Sequence, residues 1–413
     1  MGEIFAAAAL HAPAARAASS ATVPIVCISH LRWDFVYQRP QHLMTRFAAK
    51  HPVLYVEEPV RGNGPSRLEV RDVAPNVTVA VPVLGDGPVT DAGNRAHHET
   101  HSDEQQVASL LAAFLRHWTP TADCAPIVWY YTPLGLKISG GVESQLVVYD
   151  CMDQLRNFLN APADLLMLEG RLLVEADLVF TGGLSLHEDK SRHHPDVHAF
   201  PSSVDVEHFV KARARCDEPA DMVGIPHPRI GFYGVIDERF DIELLAGAAA
   251  LRPDWHWVVL GPVVKIDPAS LPTGSNIHYL AGRSYDELPS ALAHWDVAMM
   301  PFAHNAATRY ISPTKTPEYL ASGKPVVSTS IVDVVRTYGS SGLVRFADGP
   351  EAFVAAVDKA LQDAVDPTFV ERADAFLAGM SWDRTQASMS QLIDAVIERK
   401  AQESTNVQLA SAA

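Results

Sequence analysis

The stretch SPTKTPEYLASGKPVVST, residues 312–329, sets a lysine and a glutamate one turn apart at the head of a helix-like segment. A strand-like run follows at once. Pro317 fits only the first turn of a helix, where a missing N–H costs little, so the spacing predicts a helix beginning near Thr314. Gly323 and Pro325 end it. Upstream, DVAMMPF (296–302) reads as a buried strand, and AHNAATRYISPTKT is the loop leaving its carboxyl end. In open α/β sheets, ligands sit in the crevice beyond the carboxyl ends of strands. Thr314, Lys315 and Thr316 then fall at a helix start, where free N–H groups favour an anion. Glu318 lies three residues after Lys315 and shares its face. A carboxylate repels phosphate, but it accepts two hydrogen bonds from a vicinal diol such as ribose. Cation and diol acceptor together suit a nucleoside diphosphate. A sheet-covering helix with a surface Lys–Glu pair fits the same spacing.

Working outward, strand-like and helix-like segments alternate from residue 25 onward. IVCISH (25–30), VLYVEE (53–58), IVWYYT (127–132), LVVYDC (146–151), DLVFTG (177–182) and VHAFPS (197–202) are short apolar runs rich in β-branched and aromatic residues. Helical patterns such as RPQHLMTRFAAKH (39–51) and ADLLMLEGRLLVEA (163–176) lie between them. The alternation pauses at the polar, proline-bearing residues 211–228. It resumes with RIGFYG (229–234), HWVVLG (256–261), NIHYLAG (276–282), DVAMMPF, PVVSTS (325–330) and GLVRFA (342–347). This predicts an α/β protein with two parallel-sheet domains, residues 24–210 and 229–380, joined by a linker at 211–228. A helix over 381–400 is expected to pack back on the body, with disordered tails at 1–23 and 401–413.

A chain of 413 residues is too long for one ordinary core, which agrees with two domains. Apolar residues make up 47% and charged residues 20%, the balance of a globular enzyme. Lys and Arg number 33 against 49 Asp and Glu, a net charge of −16 that argues against general nucleic-acid binding. Such a balance still leaves room for a peripheral contact with the inner membrane surface, because net charge does not report local fields. Cys27, Cys124, Cys151 and Cys216 form no C-x-x-C pair, so neither a zinc site nor a disulfide framework is expected, and a reducing cytoplasm fits. The alanine-rich start lacks a basic n-region, and no apolar run reaches the ~18 residues that span a bilayer. His97, His98 and His101 lie in a long polar loop and read as solvated rather than metal-binding, and SRHHP (191–195) reads as a helix end.

The stretch PFAHN…SPTKTPEYLASGKPVVST resembles the donor-site signature of retaining GT-B glycosyltransferases, the large family four of nucleotide-sugar enzymes. IGFYGVIDERFDIELL with PDWHWVVLGP is similar to the opening of that family's C-terminal domain, and NIHYLAGRSYDELPSALAHWDVAMMPF to its middle. FPSSVDVEHF (200–209) is similar to the segment before the linker. SHLRWDFVYQRPQHLMTRF resembles the N-terminal start of bacterial members of the polysaccharide and teichuronic-acid type. The resemblance covers roughly residues 25–395. It implies two Rossmann-like domains whose parallel sheets face a central cleft, with the nucleotide-sugar donor on the C-terminal domain and a glycan or lipid-linked acceptor on the N-terminal one.

Carried onto this chain, the resemblance implies that Glu318 holds the donor ribose, as the second glutamate of E-x7-E. It implies that Asn305, Thr314 and Lys315 approach the diphosphate, and that Gly234 ends the strand where backbone meets the donor. Two positions depart from the pattern. Tyr310 stands where the first glutamate belongs, and Val235 where a basic residue usually follows the glycine; Arg239 and Arg309 are the nearby cations. Tyr310 is therefore the expected group near the transferred sugar, with Lys315 and Arg239 stabilising the leaving charge without a metal or other cofactor. In the N-terminal domain, SHLRWDFVYQRP leaves the first strand. That placement aims His30, Trp33, Asp34, Arg39 and His42 at the cleft, with Trp33 to stack on a sugar, Asp34 to accept from its hydroxyls and Arg39 to clamp a phosphate; for His42, a packed helix-face residue is the plainer reading. Asp150 and Asp153 end another strand in a D-x-x-D that is not the metal-binding D-x-D. FTGG (180–183) fits a close backbone approach to a ligand or a plain turn equally. A non-catalytic nucleotide-sugar-binding subunit, or an epimerase of the same fold, fits the sequence as well.

Overall fold

The computed structural model describes residues 23–85, 102–118, 125–140 and 142–412. Residues 1–22, the histidines at 97, 98 and 101, and Cys124 lie outside the described residues. The short apolar runs form strands because their branched and aromatic side chains are buried on both sheet faces. In the N-terminal half these are β1 (Ile25–Ile28), β2 (Val53–Val56), β3 (Val60–Gly62), β4 (Arg67–Ala74), β5 (Val77–Gly85), β6 (Ile127–Tyr130), β7 (Leu146–Cys151), β8 (Leu178–Thr181) and β9 (Val197–Ala199). Among the described residues they make one nine-stranded sheet in the order β3-β5-β2-β1-β6-β7-β8-β9, with β4 antiparallel on β5. The C-terminal half supplies β10 (Arg229–Tyr233), β11 (His256–Leu260), β12 (Ile277–Leu280), β13 (Val297–Met300), β14 (Val326–Ser328) and β15 (Val344–Phe346). These run parallel in the order β12-β11-β10-β13-β14-β15.

Both sheets reverse their winding once, between β1 and β6 and between β10 and β13. Such a switch point opens a crevice at the carboxyl ends of the two strands, because their following helices leave on opposite faces. The two crevices meet at one cleft.

The segments joining the halves are packed, not free. Ala212, Met222 and Ile225 of the linker belong to the C-terminal core, and Arg213 donates to the Ala321 carbonyl at 2.8 Å. In exchange, the last helix (Trp382–Ala412) returns to the N-terminal domain, where Trp382, Met389, Ile393 and Val396 join the core beneath β1. Lys400 fixes it further through Asp177 at 2.8 Å. This helix continues through residues 401–412, where the sequence suggested a disordered tail. The segment lacks Gly and Pro and opens with Ala-Gln-Glu, good helix formers that extend an anchored helix. The β4–β5 hairpin was also not foreseen. Its signal is alternating polarity on either side of Pro75-Asn76, with Asn76 at φ +62° making the turn.

Candidate active site

The cleft between the two sheets encloses about 640 Å³ and is lined from both domains. Its C-terminal wall is built on the ends of β10 and β13. The helix Lys315–Ala321 begins as the lysine spacing implies, with Pro317 in its first turn, and both Lys315 and Glu318 line the cleft. Gly234 follows β10 at φ +139°, a conformation that side chains rarely adopt. A Cβ there would stand 2.4 Å from Lys315 Cε, so the glycine is what lets the lysine lie along the strand end.

Glu318 and Arg239 on this wall are oriented by partners, and Lys315 lies 5.6 Å over the Phe232 ring. Glu318 is almost fully buried, and its Oε2 accepts a hydrogen bond from the Tyr233 hydroxyl. Burial pushes its carboxyl up to about 7. Burial, seconded by the Arg239 charge, brings the Lys315 ammonium down to about 8. Arg239 forms a two-pronged pair with buried Asp237, at 3.0 and 2.7 Å, and lies 5.0 Å over the Phe158 ring of the opposite domain. Thr314 lines the cleft at the start of the helix.

Three residues expected at the donor do not line it. Asn305 is exposed and ties its own loop to the one after β10, donating to the Glu238 carbonyl at 2.8 Å and accepting from Thr308 N at 3.0 Å. Arg309 is exposed, with its guanidinium 5.4 Å over the Tyr310 ring. Tyr310 packs against the apolar cluster of the N-terminal domain instead of entering the cleft. Apolar contact across the domain boundary draws the ring away from the donor side.

On the N-terminal wall, His30 lines the cleft with a buried Nδ1 that has no partner among the described residues. Burial and the nearby Lys265 charge take its imidazole down to about 4, so it is neutral at physiological pH. Trp33 does not line the cleft. It packs edge-on against Tyr55 at 5.0 Å, part of the core cover. Asp34 is on the outer surface, 70% exposed and paired with Arg71. Arg39 reaches the cleft edge, but its guanidinium is spent inward, on Asp150 at 2.9 and 3.1 Å and on the Phe200 carbonyl at 2.7 Å. A phosphate clamp needs those donors free. His42 is buried and stacks on Trp382 at 4.7 Å, a packing role.

The rest of this wall is mixed: Phe35, Leu134, Leu155, Phe158 and Leu159 give it apolar area, with Arg32, Glu58, Asn160 and Asp153 among them. Asp153, Asp237, Tyr233, Phe158, Lys265 and Arg283 are among the cleft residues to which the sequence attached no role. Their positions at strand ends were readable; their direction was not.

The halves also touch directly at one side of the cleft. Asp333 accepts from Ser185 N at 3.1 Å and Ser185 Oγ at 2.9 Å. A Cβ on Gly183 would meet that carboxylate at 2.2 Å, so the second glycine of FTGG serves contact between domains. Tyr37 stacks on Tyr285 across the boundary at 4.4 Å. Among the described residues, no group of three or more His, Cys, Asp or Glu is placed to hold a metal.

Residues 227–363 match the family model described as glycosyl transferases group 1. A Bacillus subtilis protein, provisionally named as the teichuronic acid biosynthesis glycosyltransferase TuaH, is 24% identical over 274 residues, 62% of this chain and 68% of that protein. Among solved structures, a sucrose-phosphate synthase from Thermosynechococcus elongatus superposes with a TM-score of 0.67 at 16% identity, covering 91% of this chain and all of that one. A trehalose-6-phosphate protein from E. coli, bound with UDP-2-fluoro glucose, gives 0.60 at 14% identity over 91% of this chain and 99% of that one.

Proposed function

Because this chain is a GT-B glycosyltransferase carrying a group 1 glycosyl transferase domain, we propose that it moves a sugar from a nucleoside diphosphate donor to a cell-surface polysaccharide, glycolipid or related acceptor. The observation that carries this reading is the convergence of Lys315, Glu318 and Gly234 on one cleft at the β10/β13 switch point. The diphosphate lies against Lys315 and the ribose hydroxyls against the Glu318 oxygen that Tyr233 leaves free. The donor bound in the E. coli structure is of this kind.

As the bond from the anomeric carbon to the diphosphate breaks, negative charge grows on the leaving oxygen. Lys315, with Arg239 behind it, stabilises that charge in a site largely shielded from water. Those cations supply what a divalent metal supplies elsewhere, so the reaction proceeds without one. The anomeric configuration is retained, the outcome its family resemblance implies. The acceptor enters along the apolar N-terminal wall, where Phe35 and Phe158 offer ring faces to a sugar or a lipid-borne glycan. The name of the Bacillus relative supports an envelope polymer as the acceptor class. No described helix is long and apolar enough to cross a membrane. The protein works in the cytoplasm, meeting lipid-linked acceptors at the inner membrane surface.

A thermal-shift screen with uridine, guanosine, thymidine and adenosine diphosphates, followed by donor turnover in excess chelator, tests the proposal. One nucleotide should stabilise the protein, and its sugar donor should turn over with chelator present. Stabilisation by none of them would remove the donor site; activity restored only by manganese or magnesium would remove metal independence.

A further inference from the structure

Trp33, Asp34 and Arg39 are taken up by packing and ion pairs, yet the loop after β1 still presents a set of groups to the cleft. This loop is clamped from below. The Tyr55 hydroxyl lies 2.7 Å from Ser29 Oγ and 3.0 Å from the Leu31 carbonyl oxygen. Buried Glu57, at the end of β2, accepts from Trp33 N and from Arg32 Nη1, both at 2.9 Å. Buried Gln41 donates through Nε2 to the Trp33 and Val36 carbonyls at 2.7 and 3.0 Å. The Phe35 N–H donates to the Arg32 carbonyl at 3.2 Å and closes a turn. Such a frame fixes its side chains before any ligand arrives.

Three groups on this frame line the cleft. The Phe35 ring is 47% exposed. Arg32 gives one nitrogen to Glu57, and its guanidinium makes no other hydrogen bond among the described residues. Glu58 follows Glu57 directly, so its side chain leaves the strand end on the opposite side, toward the cleft. Its carboxylate has no hydrogen-bond or salt-bridge partner among the described residues; Arg32, of the same domain, is the charge that faces it. An unpaired carboxylate repels a diphosphate, and the described cations of the C-terminal wall are not among the charges that face Glu58, so the donor's phosphates are not its ligand. A pyranose fits all three groups. Its C–H face lies on an aromatic ring, and two neighbouring hydroxyls at its edge donate to a carboxylate and accept from a guanidinium. A uronate would set a second carboxylate against Glu58.

We infer that Arg32, Phe35 and Glu58 form the subsite for the acceptor's terminal sugar, an uncharged pyranose with two adjacent hydroxyls. This rests on the transferase reading above. Phe35 takes the apolar face of the sugar, Glu58 accepts from the two hydroxyls, and Arg32 donates to one of them. The nucleotide is held on the other wall by Lys315 and Glu318, so mutation separates the two recognitions.

The test titrates the full chain with the octyl β-glycosides of glucose, galactose, mannose and N-acetylglucosamine and with octyl β-glucuronide. Binding is followed by saturation-transfer NMR in the presence of the nucleoside diphosphate that stabilises the protein. At least one neutral glycoside should bind wild type, and more tightly than the glucuronide. Phe35→Ala and Glu58→Gln should each weaken that binding about tenfold or more while nucleotide affinity stays within about twofold. Asp34→Asn, in the same loop but turned to Arg71, should bind the glycoside as wild type does. Binding of none of the neutral glycosides, or a preference for the glucuronide, overturns the inference. So does unchanged binding in Phe35→Ala and Glu58→Gln, or an equal loss in Asp34→Asn. The transferase reading fails separately, and takes the acceptor role with it, if none of the uridine, guanosine, thymidine and adenosine diphosphates binds wild type.

Discussion

The two walls of the cleft use polar side chains in opposite ways. On the C-terminal wall, Glu318 is held by Tyr233 and Arg239 by Asp237, Lys315 lies 5.6 Å over the Phe232 ring, and all three keep a face on the cleft. On the N-terminal wall, Arg32 and Arg39 turn to Glu57 and Asp150, leaving Phe35, Leu155, Phe158 and Leu159 as apolar surface beside Glu58, Asp153 and Asn160. A diphosphate and a ribose ask for fixed charges and acceptors, which lose least when they are already oriented and shielded from water. A glycan or lipid carrier asks for ring faces and apolar area, which tolerate variation in the partner. The difference divides the work: charge recognition on one side, shape and apolar contact on the other.

The largest expected effect tests the N-terminal side of that contrast. If Arg39 is a structural cation, Arg39→Met strands the Asp150 carboxylate in the core, at a cost of about 3–5 kcal/mol. Denaturant unfolding should show that loss, while any protein that remains folded keeps its affinity for the acceptor. Normal stability with weakened acceptor binding would return Arg39 to the cleft as a ligand-binding group.

Glu318→Ala is expected next. Removing a hydrogen bond to a charged group costs about 1.5–3 kcal/mol, so donor affinity should fall roughly ten- to a hundredfold. The loss should shrink for a 2′,3′-dideoxy nucleotide, which has no diol to offer. Equal losses for both nucleotides would mean that Glu318 serves only Tyr233 and that the ribose lies elsewhere.

Lys315 sharpens the contrast through pH. With its ammonium brought down to about 8, the side chain is charged below that pH and neutral above it. Diphosphate needs the charged form, so affinity should fall by up to about tenfold per pH unit above 8, until the lysine also loses its proton in the complex. Lys315→Met cannot titrate; it should bind weakly below pH 8 and converge on wild type as the pH rises. Parallel curves above pH 8 would place the diphosphate away from Lys315.

How far these walls could be read in advance follows from what sets each position. Strand ends and helix starts are fixed by burial and by glycine and proline, so Gly234, Thr314, Lys315 and Glu318 were legible and lie on the cleft. The β10/β13 switch depends on the order of strands across the sheet, which alternation along the chain does not set. Trp33, Asp34 and Arg39 also leave a strand end, but their directions depend on Tyr55, Arg71 and Asp150, partners distant in sequence. Asp153 was visible as part of D-x-x-D, and that strand end does line the cleft. Pattern locates a loop, whereas long-range pairing decides which of its side chains remains available.

The smallest expected effect concerns Tyr310, where family pattern and geometry diverge. The pattern places a sugar-contacting carboxylate at this position, and a tyrosine standing in for it would need its hydroxyl at the donor. The ring instead packs on the N-terminal apolar cluster, with Arg309 over it at 5.4 Å, and is no part of the cleft wall. Tyr310→Phe keeps the ring and removes only the hydroxyl, so transfer rate and nucleotide affinity should each change by less than about twofold, well under the ~1 kcal/mol of a typical lost hydrogen bond. Tyr310→Ala removes the packed ring and should lower stability while leaving nucleotide affinity intact, because the ring supports the domain boundary and not the donor. A fall in transfer for Tyr310→Phe at unchanged nucleotide affinity would show that the loop turns inward during turnover. The C-terminal wall would then be completed by a side chain that here packs on the other domain.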